Sequence, residues 1–148
     1  MKATLLLTLL ACALCAQAAD TTEPAPRTRD PLAGARTHIQ AKRWADAASE
    51  LKKVNNTGSA DWNNLMGYAL RKQARPDLDG AQKHYDAALK INPRHQGALE
   101  YAGELALMKR DLFTAEAHLA SLSKLCSTPC EPLDDLKKAV ADYKAASR

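Results

Sequence analysis

The chain has 148 residues, of which 46% are hydrophobic, 26% charged and 5% aromatic, and its formal net charge is +4. These values suit one globular domain and exclude a wholly disordered chain. Acidic and basic residues are interleaved without a run of lysine or arginine, which argues against a nucleic-acid-binding protein. Alanine is abundant and aromatic residues are few, so the composition favours packed helices over a β-sandwich.

The first 18 residues have the pattern of a secretory signal peptide. Lys2 precedes an apolar segment over residues 5–14, and Ala16 and Ala18 are the small residues that a signal peptidase requires. We expect cleavage after Ala18 and a periplasmic or secreted protein. The apolar segment is shorter than the roughly 20 residues of a membrane helix, so we expect no transmembrane segment in the mature chain. An outer-membrane lipoprotein, acylated at Cys12, is the alternative.

Cleavage at that point would lower the formal charge to +3 and leave Cys126 and Cys130 as the remaining thiols. Two cysteines so close in sequence predict a disulfide in an oxidising compartment. A thiol-redox or metal-handling accessory protein is a further alternative. Redox pairs usually have two intervening residues, however, and no third or fourth metal ligand lies nearby. Residues 19–29, rich in Pro, Thr and small residues, predict a flexible leader.

A repeat of 34 residues runs through the rest of the chain. Four columns recur at this interval in three copies, and neighbours within a copy are three or four residues apart, so each copy has one helical stripe. The columns are Trp44, Leu78 and Leu112; Ala47, Ala81 and Ala115; Leu51, Tyr85 and Leu119; and Val54, Ala88 and Leu122. We expect these residues to pack the repeats, with the alanines at close helix contacts.

A second helical segment precedes each stripe. Asp30 and Pro31 predict the start of the first segment, Ser59 or Asp61 the cap of the second, and Pro93 the start of the third. Each pair of segments is an αα-hairpin with one apolar seam. A lone hairpin cannot bury that seam, so the three copies are expected to stack.

Residues 64–93 resemble a tetratricopeptide repeat. The matching positions are the glycine at the contact between the two helices, three residues of the second helix and the terminating proline: Gly67, Ala81, Tyr85, Ala88 and Pro93. The third copy keeps Gly103 and Ala115 but lacks the proline, and the first copy has Ala35 in place of the glycine. Gly67 is also two residues further from its alanine than Gly103 is, which predicts a longer turn at residues 75–80.

The resemblance implies an all-α fold, a right-handed α-solenoid of about three helical hairpins. The expected order is repeats over 30–58, 59–93 and 94–125, then a cysteine loop and a capping helix over 126–148. Leu136, Val140 and Tyr143 form the apolar face of that last helix, which suits the end of a stack.

The same resemblance implies that a protein or peptide partner binds the concave face, which the first helix of each hairpin lines. The candidate partner-binding residues are Arg36, Gln40, Asn64, Tyr68, Arg71, Lys72, Glu100, Glu104 and Met108. We expect a groove that is basic in the first two copies and acidic in the third, with Tyr68 as an anchor. The alternative for any one of these residues is a solvated surface position.

Other candidate chemistry is weak. Glu50, His84 and His118 form a column, but helix packing sets equivalent residues of stacked repeats roughly 10 Å apart, which disfavours a shared metal ion. Asp134 and Asp135 lie at a helix start, where they complement the helix dipole. We find no hydrolase, phosphate-loop or zinc-protease motif. We therefore predict a scaffold or adaptor that is not an enzyme and needs no cofactor or metal; its partner and oligomeric state are left open.

Overall fold

The computed structural model describes residues 30–127 and 129–147, and this part of the chain contains helices and turns but no strand. The helices are α1 (Ala33–Gln40), α2 (Trp44–Val54), α3 (Ala60–Lys72), α4 (Leu78–Ile91), α5 (Gln96–Met108), α6 (Leu112–Leu125) and α7 (Glu131–Ala146). The predicted signal peptide and leader lie outside the described residues. Within them, no helix combines the length and apolarity needed to cross a membrane.

Neighbouring helices pair into antiparallel hairpins that stack along the chain. The pairs are α1 with α2, α3 with α4 and α5 with α6. The first helix of each later hairpin also contacts the hairpin before it, and α7 packs on both α5 and α6. The predicted fold class, an α-solenoid of three helical hairpins with a terminal capping helix, is confirmed.

The second helices carry the repeating stripe. Trp44, Leu78 and Leu112 are the first residues of α2, α4 and α6 and are half-buried. The other column positions that are fully shielded from solvent are Ala47, Ala81, Ala115, Leu51, Tyr85, Ala88 and Leu122. Leu119 and Val54 are half-buried. Burial of this apolar stripe is the main source of stability of such a stack.

Four helices begin with a side-chain N-cap, which satisfies one free backbone N–H in each first turn. The caps are Ser59 to Trp62 in α3, Asp77 to Gly80 in α4, His95 to Ala98 in α5 and Asp111 to Thr114 in α6. Of the two caps predicted for α3, Ser59 is therefore the one used.

Two of the predicted helix starts were wrong. Pro31 lies in a turn before α1, where Asp30 accepts a hydrogen bond from the Leu32 N–H at 2.9 Å. Pro93 lies in the turn after α4 and does not open α5, because His95 caps that helix. Proline suits either a first helical turn or the turn outside it, so the residue type alone did not separate the two positions.

Gly67 and Gly103 mark two different close contacts. A Cβ at Gly67 would lie 2.7 Å from a ring carbon of Tyr85 and 3.1 Å from the Ala81 carbonyl oxygen, so this glycine does lie where paired helices touch. A Cβ at Gly103 would lie 2.6 Å from Leu136 of α7. The third copy therefore uses its glycine to admit the capping helix.

A left-handed backbone residue closes the first and third hairpins. Lys42 (φ 55°) and Arg110 (φ 63°) each lie two residues before the second helix of their hairpin. The equivalent residue in the second hairpin is Pro76, whose ring fixes φ near −65° and forbids that conformation. The α3–α4 connection accordingly spans residues 73–77, two more than the α5–α6 connection at 109–111. This explains the two extra residues that the glycine spacing predicts, although the turn lies at residues 73–77 and the last part of the predicted range 75–80 belongs to α4.

We expect Lys42→Gly and Arg110→Gly each to raise the free energy of unfolding by about 0.5 kcal/mol. Glycine relieves the left-handed strain but adds freedom to the unfolded chain, so the two effects partly cancel. Urea unfolding followed by circular dichroism measures the change. Lys83→Gly, at an exposed position inside α4, is the control and should lose about 1 kcal/mol. Equal losses in all three variants would contradict the turn argument.

Cys126 and Cys130 are joined by a disulfide, with their Cα atoms 5.9 Å apart. Cys126 is the C-cap residue of α6 and Cys130 is the N-cap residue of α7. The bond therefore ties the capping helix to the last hairpin, as the sequence predicts.

Candidate partner-binding cleft

A cleft of about 370 Å³ opens between the first helices of the second and third hairpins and the capping helix. Its walls come from α3, α5 and the first turns of α7. The lining residues are Tyr68, Arg71, Lys72, Gly97, Glu100, Tyr101, Glu104, Glu131, Pro132 and Asp135. Since α7 contributes three of them, the helix that caps the stack also closes one side of the cleft.

An aromatic row crosses the helices at this cleft. The ring centroids of Tyr68 and Tyr101 are 4.5 Å apart, and Trp44 meets Tyr68 edge-on at 5.6 Å. Tyr85 lies behind Tyr101 at 6.3 Å and is fully buried. Tyr68 and Tyr101 are half-buried, so each presents part of its ring to the cleft.

Arg71 holds the two tyrosines and an acidic side chain together. Its guanidinium forms an ion pair with Glu104 of α5, and its central carbon lies 5.6 Å from the ring centroids of both Tyr68 and Tyr101. The Arg71 side chain is only 6% exposed, and its Nε has no hydrogen-bond partner in the described part of the chain. Removal of one partner from a buried pair of this kind is strongly destabilising, because the other charge is left without compensation.

Glu100 is a buried acid without a partner. It is 7% exposed and makes no hydrogen bond or ion pair with another described residue, although it lines the cleft. Burial raises the pKa of its carboxyl group to about 8, and the negative charges of Glu104, Asp135 and Glu131 act in the same direction. The Arg71 guanidinium opposes that rise. Glu100 is therefore largely neutral at pH 7.

Burial also raises the pKa values of the surrounding tyrosines. The pKa values of Tyr68, Tyr85 and Tyr101 all rise, and the Arg71 guanidinium opposes the rise in each case. The Tyr85 hydroxyl lies next to the Arg71 guanidinium, which opposes the rise of its pKa. All three phenols thus stay neutral and contribute aromatic surface to the site, without charge.

The cleft is divided by charge. Its cations, Arg71 and Lys72, come from α3, whereas its carboxylates come from α5 and α7. The predicted groove was basic in the first two copies and acidic in the third, but the first copy contributes no residue to this cleft. The acidic side extends further than expected, because Glu131 and Asp135 of α7 join it.

The expectation that the groove residues point outward was wrong for three of them. Asn64, Arg71 and Glu100 are buried, with 7%, 6% and 7% exposure. The start of α5 covers Asn64, whose amide nitrogen would lie 3.2 Å from a Cβ at Gly97. Arg71 and Glu100 are enclosed where α3, α5 and α7 converge. Solvated surface, the alternative for these positions, is excluded for all three.

The other predicted residues fall into two groups. Tyr68, Lys72 and Glu104 line the cleft. Gln40 and Met108 are exposed at the ends of α1 and α5, outside it.

Arg36 also lies outside the cleft, in a chain of contacts that joins the first helices of all three hairpins. It lies 3.5 Å from Asp30 and 3.6 Å from one carboxylate oxygen of Asp61 on α3. The other oxygen of Asp61 lies 2.9 Å from Nε2 of His95, the N-cap residue of α5. Arg36 is thus engaged within the stack.

Sequence reasoning missed Tyr101, Glu131 and Asp135. Tyr101 occupies the place in α5 that Leu65, a core residue, occupies in α3, so its register indicated packing. Glu131 and Asp135 were attributed to the cap and to its helix dipole. A cap that packs on a first helix must contribute its own residues to the groove, and this was the available signal.

The Glu50, His84 and His118 column has local explanations. His84 Nδ1 lies 3.0 Å from Oδ1 of Asn63, and the His84 ring meets Trp62 edge-on at 5.5 Å. Glu50 pairs with Lys53 on its own helix. Burial lowers the pKa values of His84 and His118. In residues 30–127 and 129–147, no three metal-binding side chains lie close enough to hold an ion.

Another opening, of about 400 Å³, lies at the turns between α1 and α2 and between α3 and α4. Its charged residues, Arg43, Asp46 and Arg75, are exposed, and the first two form a loose pair at 3.9 Å. This opening lacks buried charges. The cleft lined by Tyr68 and Tyr101, which we call the tyrosine cleft, contains them and is therefore the stronger candidate site.

We expect Glu100→Gln to make stability less dependent on pH. In the native protein Glu100 has a pKa of about 8, above its model-peptide value of 4.5, so the native state retains a proton that the unfolded chain has lost. Its contribution to stability is complete below about pH 4.5 and is lost as pH rises through 8. The variant should exceed the wild type by about 1–3 kcal/mol at pH 8.5 and match it near pH 5, as measured by urea unfolding.

The control for this prediction is Asp79→Asn, which removes an acid that is 86% exposed. Its effect should be small and similar at both pH values. Parallel pH profiles for Glu100→Gln and the wild type would contradict the assignment of a buried, protonated carboxyl group.

Comparisons with known proteins inform the fold. No protein-family model matches the chain, and no curated protein matches it. Among solved structures, it matches the type III secretion chaperone SycD of Yersinia enterocolitica, crystallised with a peptide of the translocator YopD. The TM-score is 0.65 at 15% identity, over 80% of this chain and 92% of that chain. The shared fold is a helical repeat. At this identity the likeness shows the fold alone, and membership of the tetratricopeptide family stays a prediction.

Proposed function

We propose that this chain is a peptide-binding helical adaptor that holds a segment of a partner protein in the tyrosine cleft. The observation that carries the proposal is the Tyr68–Tyr101 pair, whose rings contact each other at an angle of 36° and are partly open to a cleft beside Glu100, which has no ion pair or hydrogen bond to another described residue. Packing alone does not require an acid that is buried without a partner. Burial of such a group is unfavourable in the free protein, and a ligand that offers a donor or a cation would give it a partner.

The size and composition of the cleft support this proposal. Its volume of about 370 Å³ lies at the lower end of the roughly 300–1,000 Å³ typical of ligand sites. Tyrosine and arginine are enriched among the residues that dominate binding energies. The fold adds support, since a chaperone with the same fold was crystallised with a peptide.

We expect a photo-crosslinking residue at Lys72 to capture a specific partner in cells that produce the protein. Lys72 is exposed on the rim, with its ammonium group 5.8 Å from the Tyr68 ring centroid. The same probe at Lys83, on α4 and away from the cleft, is the control for chance encounters. Gel electrophoresis and mass spectrometry identify the captured protein.

Tyr68→Ala should reduce that crosslink at least about tenfold, because it removes half of the aromatic platform. Phe113→Ala is the matched control, since Phe113 is 83% exposed on α6 and lies outside the cleft. Circular dichroism establishes that both variants are folded. An unchanged crosslink in folded Tyr68→Ala, or equal capture from Lys83, would refute the adaptor proposal.

We also propose that the adaptor is exported and acts in the periplasm or outside the cell. Residues 1–18 support export by their signal-peptide pattern, and the Cys126–Cys130 disulfide suits an oxidising compartment. Mass spectrometry of the mature N-terminus tests this proposal. A chain beginning at Ala19 is expected, whereas an acylated Cys12 would establish the outer-membrane lipoprotein, and an intact Met1 would contradict export.

A further inference from the structure

The acidic side of the cleft is not neutralised within the described structure. Arg71 pairs with Glu104, but Glu131 and Asp135 form no ion pair with another described residue. Lys72, the other cation of the cleft, stands on the opposite wall in α3. Three carboxyl groups, those of Glu100, Glu131 and Asp135, therefore line the same space without an ion pair to another described residue.

Glu100 distinguishes this arrangement from an ordinary cluster of surface acids. Glu100 is only 7% exposed, and it lines the cleft without a hydrogen bond or an ion pair to another described residue. Acids in the first turn of α7 stabilise that helix by themselves, and Glu131 and Asp134 suffice for this role. Glu100 lies beyond the first turn of α5, so the helix dipole does not explain it.

We propose that the segment held in this cleft places a lysine or arginine side chain between Glu100 and the first turns of α7. This inference rests on the proposed function and names the chemical class of the occupant. A cation at this point would form an ion pair with the carboxylate of Glu100 and would lie close to Glu131 and Asp135. The long apolar stem of either side chain would meanwhile lie along the tyrosine rings.

A basic side chain fits this space better than a metal ion does. A metal ion needs three or more converging ligands, and no such group exists within residues 30–127 and 129–147. Attraction of basic peptides to the whole protein is not expected, because the formal net charge of the chain is +4. A preference for a basic residue would therefore arise from the acidic residues of the cleft, Glu100, Glu131 and Asp135.

Binding of a cation should depend on pH through Glu100. The charged and titratable groups around it are Tyr68, Arg71 and Lys72 from α3, Tyr101 and Glu104 from α5, and Glu131 and Asp135 from α7; none of the groups that shift its pKa comes from α4 or α6. A bound cation favours the ionised carboxylate, so binding below pH 8 releases a proton. Affinity should rise about tenfold between pH 6.5 and 8.5, where lysine and arginine stay charged.

The experiment begins with a random library of short peptides displayed on phage and selected on the full chain. We expect selected peptides to share a Lys or Arg at one position. One of them is synthesised with a fluorescent label, together with an analogue that carries norleucine for Lys or citrulline for Arg. Fluorescence anisotropy should show about tenfold weaker binding of the neutral analogue to the wild type.

Variants of α7 locate the effect. In Glu131→Gln/Asp135→Asn the neutral analogue should bind less than about threefold more weakly than the basic peptide. The variant lacks the carboxylates that attract the basic side chain, so its loss from the peptide matters less. Asp134→Asn is the matched control, since it removes an exposed first-turn acid of the same helix outside the cleft. This variant should keep the full tenfold penalty.

The outcomes separate this inference from the function on which it rests. Peptides that need Tyr68 for binding but show no basic residue, or a penalty unchanged in Glu131→Gln/Asp135→Asn, would overturn the inference and leave the adaptor proposal standing. Selection of no peptide that Tyr68→Ala weakens would overturn both. Loss of the penalty in Asp134→Asn as well would place the effect in the general field of α7 and overturn the inference.

Discussion

Gly67→Ala should lower the free energy of unfolding by about 1–3 kcal/mol. The added methyl group would lie 2.7 and 2.8 Å from two ring carbons of Tyr85 and 3.1 Å from the Ala81 carbonyl oxygen. Tyr85 is fully buried and cannot retreat, and a backbone oxygen moves only with its helix. The higher helix propensity of alanine, worth up to about 1 kcal/mol, offsets only part of this cost. Urea unfolding gives the difference.

Two other glycines calibrate that result. A Cβ at Gly58 would meet nothing within 4 Å, so Gly58→Ala should change stability by no more than about 0.5 kcal/mol. Gly103→Ala should fall between the two, because it meets the end of the Leu136 side chain, which can move more readily. A loss in Gly67→Ala no larger than that in Gly58→Ala would mean that α3 and α4 are not in close contact.

Arg71→Met should cost about 2–4 kcal/mol at neutral pH, the largest effect we expect from a residue of the cleft. It leaves Glu104 beside Glu100 without a cation and removes the group that lies against both tyrosine rings. The loss should grow near pH 9, where an ionised Glu100 lies beside Glu104 without the opposing cation. Chemical unfolding at the two pH values measures the change.

A double-mutant cycle with Glu104→Gln isolates the pair, and we expect a coupling energy of about 1–3 kcal/mol. The exposed pair between Lys109 and Asp79, at 3.2 Å, is the control. Lys109→Met should cost less than about 1 kcal/mol. Similar losses for Arg71→Met and Lys109→Met would show that Arg71 is not held in a buried network.

The second helices of the hairpins were predictable because their information is local. A stripe with helical spacing must face one side, and a 34-residue interval must reappear as one hairpin per copy. Trp44, Leu78 and Leu112 accordingly begin the three second helices. The disulfide followed from the short separation of Cys126 and Cys130, which also is a local property.

The cleft was only partly predictable because its character depends on which helix covers which side chain. Arg71, Glu100 and Asn64 are polar residues on the predicted groove face, and polarity by itself indicated solvent exposure. Their burial comes from the approach of α5 and α7, a tertiary contact without a local pattern. The position of Pro93 illustrates the same limit for turns, since the N-cap that displaced it is a histidine, a less common capping residue.

The contact between Asp61 and His95 has a consequence for spectroscopy. A backbone N–H can only donate, so Nδ1 of His95, 3.1 Å from the Ala98 nitrogen, accepts that hydrogen bond and carries no proton. The neutral ring then has its hydrogen on Nε2, which faces Asp61 at 2.9 Å. The contact of this Nε2 with Asp61 exists only while α5 is stacked on α3. The nitrogen chemical shifts of His95 can therefore show, in solution, whether the second and third repeats are docked.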